Sequence, residues 1–169
     1  NVSTRIGLLK DAAAKQNLVE VKNQNQQLRA DLEKLRADLA KFQLLAKIPI
    51  ANGYYRDSGH LVTVGLLSTD MISIGVDIAS PYAGPLGLDG KNNHISAEQK
   101  AQVFVRDLVP RIIPRLGEFA TKMKQVKTEI DQVDPKRYPQ SVKLGNLPLN
   151  SLLSQAQTQL AAVNSIMPE

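Results

Sequence analysis

The heptad Leu28-Arg-Ala-Asp-Leu-Glu-Lys34 is followed without a gap by Leu35-Arg-Ala-Asp-Leu-Ala-Lys41, a direct seven-residue repeat. Extending its register outward puts Leu18, Leu32 and Leu39 at position a, and Val21, Leu28, Leu35 and Phe42 at position d. Asn25 takes a polar seam position, as a buried amide does when it fixes the register of paired helices at a cost in stability. No Pro or Gly falls between Gly7 and Pro49. The spacing predicts a helix from about Leu18 to Ala46, roughly 43 Å long at 1.5 Å per residue.

The flanks of the seam argue about orientation. Positions e are Lys22, Arg29, Arg36 and Gln43, and positions g are Gln24, Asp31, Asp38 and Leu45. In a parallel, in-register pair each g faces the e five residues later on the partner, so Asp31 meets Arg36. An antiparallel pair sets Arg against Arg or Asp against Asp. Exposed pairs contribute only about 0–1 kcal/mol each, so the pattern selects orientation more than it stabilises. The expectation is a parallel homo-oligomer, dimer or trimer. The alternative is a monomeric bundle in which the same stripe packs on the chain's own later helices.

Downstream, Pro49 cannot continue a helix and Asn52-Gly53 suits a turn. Beyond them the apolar residues alternate, which predicts strands over Leu61–Leu67 and Met71–Ala79 joined at Ser68-Thr69-Asp70. Ile72, Ile74, Val76 and Ile78 would share one face of that hairpin. The charges from Leu61 to Leu88 are Asp70 and Asp77 alone, so the hairpin reads either as a cover for a small head or as a membrane-seeking, toxin-like tongue.

The segment Leu88–Gln99 approximates a calcium loop, but Leu88 stands at the first ligand position, Asn93 where the invariant Gly belongs and Gln99 where a bidentate Glu is needed. Calcium is excluded on those grounds, and Asp89-Gly90 reads as a turn. Ser96 with Gln99 predicts a capping box. From there to Val133 a wide apolar stripe marks a helix that Pro110 and Pro114 must kink or divide. Asp134-Pro135 ends it. Asn150 is a candidate cap for a last helix lined by Leu153, Ala156, Leu160, Val163 and Met167.

The chain has 169 residues, no Cys, no Trp and seven aromatics. Disulfides, thiolate metal sites and cysteine nucleophiles are therefore excluded. His60 and His94 stand in no triad or metal spacing, the glycines form no phosphate cradle, and no catalytic residue, metal ligand or cofactor is assigned. The net charge of +5 is spread along the chain: residues 1–47 hold nine basic and five acidic groups, 48–95 two and four, 96–134 seven and six, and 135–169 three and one. Acidic residues interleave with basic ones, which argues against nucleic-acid binding. Tyr54, Tyr55 and Tyr82, all in predicted turns, are the candidate partner-binding residues, with Tyr138 of the same kind.

The chain opens on Asn1 without Met, which fits either a processed product, from which a signal or membrane anchor could have been removed, or a trimmed one; Asn1-Val2-Ser3 matches a glycosylation sequon that chance accounts for. These readings combine into a mainly α fold with a small β-hairpin (α+β): a coiled-coil stalk over 1–47, a hairpin and loop region over 48–95, and a helical part over 96–169. The function expected is a non-enzymatic structural or adaptor protein of an envelope, periplasmic or secreted. It would self-associate and present its heads to a protein partner in assembly or secretion.

Overall fold

In a computed structural model, residues 1–91, 95–144 and 146–166 are described, without the side chains at 164 and 166. The chain is mainly helical. Helices α1 (Val2–Ala14), α2 (Leu18–Lys41), α3 (Pro49–Ala79), α4 (Ala83–Leu86), α5 (Ala97–Val103), α6 (Val109–Ile112), α7 (Leu116–Asp131) and α8 (Leu149–Ile166) follow in order. A two-stranded antiparallel sheet pairs β1 (Lys143–Leu144) with β2 (Leu147–Pro148), Lys143 opposite Pro148 and Leu144 opposite Leu147.

The antiparallel hairpin therefore lies near the C-terminus, and the predicted strands over 61–79 are corrected to the interior of α3. Their alternation conceals a second period: Val62, Thr69 and Val76, seven residues apart, are all buried, the spacing of one helix face over two turns. Thr63, Ser68 and Ser80 donate their hydroxyls to the carbonyls four residues back, so these polar groups are satisfied inside the helix. Strand preference is worth at most about 1 kcal/mol per residue, which burial of a helical face overrides. Pro49 is likewise the first residue of α3, where its missing N–H costs nothing. Ile48 before it is extended (φ −96°, ψ 115°), and Asn52-Gly53 lies within the helix rather than in a turn.

The prolines of the next helical stretch act as predicted. Phe104–Leu108 widens into a π turn, closed by the Val109 N–H on the Phe104 carbonyl, which makes room where the Pro110 ring would meet the carbonyl of Arg106. Pro114 sits in the tight turn Ile113–Arg115 before α7. The Ser96–Gln99 capping box forms, each side chain 3.2 Å from the other's backbone N–H. Gly90 is left-handed (φ +74°), and the Asp89 carboxylate accepts from the Lys91 N–H. Asp134 caps the short turn Pro135–Arg137. The predicted cap Asn150 falls one residue inside α8 and accepts from the Ser151 N–H. His94, Asn93 and Met167 lie outside the described residues.

Two units divide the chain, and α2, α3 and α7 contribute residues to both. In the first, Asn1–Ala30 with Thr69–Phe119, a polar layer joins α2 to α3. Asn25 Nδ2 donates to the Thr69 carbonyl and to Ser73 Oγ, each at 2.9 Å, while Arg29 pairs with Asp70. Ala12, Leu28, Ile74, Val76 and Leu108 are buried apolar residues of this unit.

In the second unit, Asp31–Ser68 with Ala120–Glu169, Ile130, Val133, Tyr138 and Leu153 form the core, with Leu61, Val64, Leu149, Ala156 and Leu160 packed against it. Gln157 Nε2 donates to the carbonyls of Ile130 and Val133, both at 3.0 Å, so a side chain of α8 satisfies acceptors that the end of α7 leaves open. α2 comes close to α3 at Gly65, where a Cβ would lie 3.0 Å from both methyl carbons of Leu32. Gly59 faces open space. Gly59→Ala is expected to stabilise by about 0.5–1 kcal/mol through helix propensity. Gly65→Val is expected to destabilise by about 1–3 kcal/mol through overpacking. Urea unfolding of the two variants checks the contrast, and equal effects would refute the close approach.

Candidate functional site

The fold divides the α2 seam. Asn25, Leu28 and Leu32 are buried by the chain's own helices, and Leu18, Val21, Asp31 and Leu39 are half-buried. Leu35 (40% exposed), Arg36 and Phe42 (57%) face solvent. The amide read as a register device is thus spent on Thr69 and Ser73 within one chain. The predicted helix end also moves: α2 stops at Lys41, and Gln43–Lys47 tightens into a 3-10 turn.

That turn builds an apolar corner. Leu45 N–H bonds to the Phe42 carbonyl and Ile48 N–H to the Leu45 carbonyl, and Asn52 N–H then reaches the Ile48 carbonyl to open α3. All ten residues from Lys41 to Ile50 are exposed. They include Phe42, Leu44 (67%), Leu45, Ile48 and Ile50 (85%), although scattered single apolar residues are the ordinary condition of a surface. From Leu39 to Arg56 the charged residues are Lys41, Lys47 and Arg56, with no acid among them. Lys41 bonds to Asp38 just before this stretch at 2.7 Å, and that hydrogen bond holds the Asp38 carboxyl below its ordinary range.

Beside the corner, in the same unit, the first turns of α3 border a polar cleft of about 410 Å³. Gly53 creates its floor: a Cβ there would lie 2.6 Å from Arg137 Nε. Arg137 Nη1 donates to Asp57 Oδ2 (2.5 Å) and to the Gly53 carbonyl (3.3 Å). The same carboxylate oxygen accepts from Tyr138 Oη at 3.1 Å. Asp57 is 1% exposed, so its charge is buried behind the two side chains that hold it. Its hydrogen bond raises the Arg137 guanidinium above its ordinary value. Burial, then the charge of Asp57, pushes the Tyr138 phenol well above its ordinary range.

Of the four tyrosines expected in turns and loops, Tyr82 and Tyr138 lie outside the long helices as expected, and Tyr54 and Tyr55 do not. Tyr54 and Tyr55 belong to α3; Tyr54 Oη donates to the Arg137 carbonyl at 3.0 Å, and its ring meets Tyr138 edge-on at 5.7 Å. Tyr138 is buried. Tyr82, in the other unit, lies in the turn Ser80–Tyr82 with the Arg111 guanidinium 5.3 Å over its ring. His60 Nδ1 lies 2.7 Å from Glu129 Oε2. Asp77, singled out as a charge on a strand, is exposed on α3. Among the described residues no three His, Cys, Asp or Glu side chains come together as metal ligands.

Among the described residues one helical stretch, Pro49–Leu86, which comprises α3, the turn Ser80–Tyr82 and α4, is long and apolar enough to cross a membrane by length and composition. Within its apolar stretch Asp70 is paired with Arg29 of α2. The first unit also holds an apolar groove of about 300 Å³ among Ile74, Ile78, Leu108, Ile112 and Phe119. No protein-family model, curated protein or solved structure matches the chain.

Residues 48–53, expected to form a turn, instead lead into α3 and complete the corner. The signal was present in two features of residues 39–56: the missing acids, and the large apolar residues Leu44, Ile48 and Ile50 that fall off the a/d seam.

Proposed function

We propose that this chain is a non-enzymatic adaptor that lies against an anionic membrane surface through its Phe42–Ile50 corner. The observation that carries the reading is the pairing of five exposed apolar side chains with a stretch whose charges are all cationic. Apolar side chains gain by entering the acyl boundary, and each Lys or Arg near an anionic surface contributes about 1 kcal/mol. Tyr54 and Tyr55 suit the interface, where an apolar ring and a polar hydroxyl are both accommodated.

Self-association is the second reading, favoured by Leu35 and Phe42, which the fold leaves open on the seam. A two-fold contact through the corner itself would bring Lys47 and Arg56 toward their own copies, a like-charge arrangement that opposes binding.

Flotation tests the proposal. The chain is expected to float with vesicles of phosphatidylcholine and phosphatidylglycerol (7:3), less so in 0.5 M salt and not with phosphatidylcholine alone. Leu44→Ser with Ile50→Ser, at exposed positions, is expected to abolish flotation while leaving the circular dichroism and Tm unchanged. Absence of flotation by the wild type, or flotation untouched by the double substitution, overturns the reading. A concentration-dependent dimer in sedimentation velocity, lost in Leu35→Ser with Phe42→Ser, would establish the second reading instead.

A further inference from the structure

We infer that the cleft beside the corner receives a phosphate group, bound by the guanidinium groups of Arg56 and Arg137 and the side-chain amides of Asn52 and Gln132. This inference rests on the membrane reading, since it names the headgroup chemistry that the corner would bring within reach.

Five observations converge. The lining is polar and rich in donors: Asn52, Arg56, Gln132 and Arg137 all border the space, and a guanidinium presents planar N–H pairs that match phosphate oxygens. The acid of the cleft is turned inward. Asp57 is 1% exposed and engaged by Arg137 and Tyr138, so the charges that reach the open part of the cleft are cations. Arg137 is also positioned in advance, because two acceptors, Asp57 Oδ2 and the Gly53 carbonyl, hold Nη1 and leave the donors on Nε and Nη2 for a ligand. Gly53 supplies the room, since any larger residue would meet that guanidinium. Arg56 is exposed and in no hydrogen bond or ion pair among the described residues, so its charge remains for an incoming anion.

A phosphate could arrive on a lipid or free in solution, and the two sources are separated by their probes. Vesicles of equal anionic content are compared, one set containing phosphatidic acid, whose phosphate monoester is exposed, and the other phosphatidylglycerol. Wild-type chain is expected to bind the phosphatidic acid vesicles at least about tenfold more tightly. Arg56→Gln is expected to remove that preference, while phosphatidylglycerol binding weakens by only about fivefold, the loss of one surface cation. Inorganic phosphate, followed by chemical-shift changes of the Arg56 and Arg137 side-chain N–H groups, reports the free source.

Perturbation by inorganic phosphate without a phosphatidic acid preference assigns the site to a soluble phosphate compound and overturns the headgroup assignment. Absence of both the phosphatidic acid preference and the phosphate perturbation overturns the site itself. Loss of all vesicle binding in the corner variant, with phosphate perturbation retained, leaves the cleft standing, so its failure and the failure of the membrane reading are told apart.

Discussion

Gly53→Ala is expected to lower the Tm by roughly 6–12 °C, although Ala in a helix interior ordinarily stabilises relative to Gly by about 1 kcal/mol. The inversion comes from one contact. The added methyl would stand 2.6 Å from Arg137 Nε and 2.8 Å from its Cζ, so the guanidinium has to shift, and a shift draws Nη1 off Asp57. Asp57, 1% exposed, would then be buried without its cation, the most damaging way to disturb a buried pair. Gly59→Ala, six residues along the same helix and facing open space, supplies the control with the opposite sign. Because the loss runs through the charge of Asp57, it should shrink in an Asp57→Asn background, where the stranded group is a neutral amide. A Gly53→Ala chain as stable as wild type would show that Arg137 is not anchored by Asp57.

The same few residues explain what was legible in the sequence and what was not. The Leu28–Lys41 repeat located α2 to its first residue, because a 3.5-residue period free of Pro and Gly has one low-energy local solution. It could not say what covers the stripe. A half-buried seam looks the same whether the partner is a second copy or the chain's own α3, and here Thr69 and Ser73 supply the acceptors for Asn25.

The stretch 61–79 was misread because β-branched residues alternate along it, while the seven-residue spacing of Val62, Thr69 and Val76 is broken up by apolar neighbours on other faces. Ser68-Thr69-Asp70 resembled a turn, yet Thr69 is 0% exposed, buried in the polar layer of the first unit. The prolines were legible because their effect is local and steric. The cleft was not, because Gly53, Asp57 and Arg137 are separated by up to 84 residues, and no pattern along the chain marks that Gly53 makes room for a side chain so distant.

Alkaline stability provides the second test of this network. Tyr138 donates its phenolic proton to Asp57 at 3.1 Å, and burial followed by the neighbouring carboxylate raises its pKa in the folded chain. In the unfolded chain it titrates near the ordinary tyrosine value of about 10. A group whose folded pKa is raised contributes its full share of stability below the unfolded pKa and loses it as pH climbs beyond. Wild type is therefore expected to hold its Tm up to about pH 10 and to fall progressively above it, as the unfolded state releases a proton that the folded state keeps.

Tyr138→Phe removes both the hydrogen bond and the ionisation. At pH 8 it should be less stable by about 1–2 kcal/mol, since an acceptor on a buried carboxylate is left unfilled. Between pH 10 and 11.5, however, its Tm should fall less steeply than that of wild type, and the two curves should converge. Parallel curves across that range would mean that another group governs the alkaline loss, and that the Tyr138 proton is not held by Asp57.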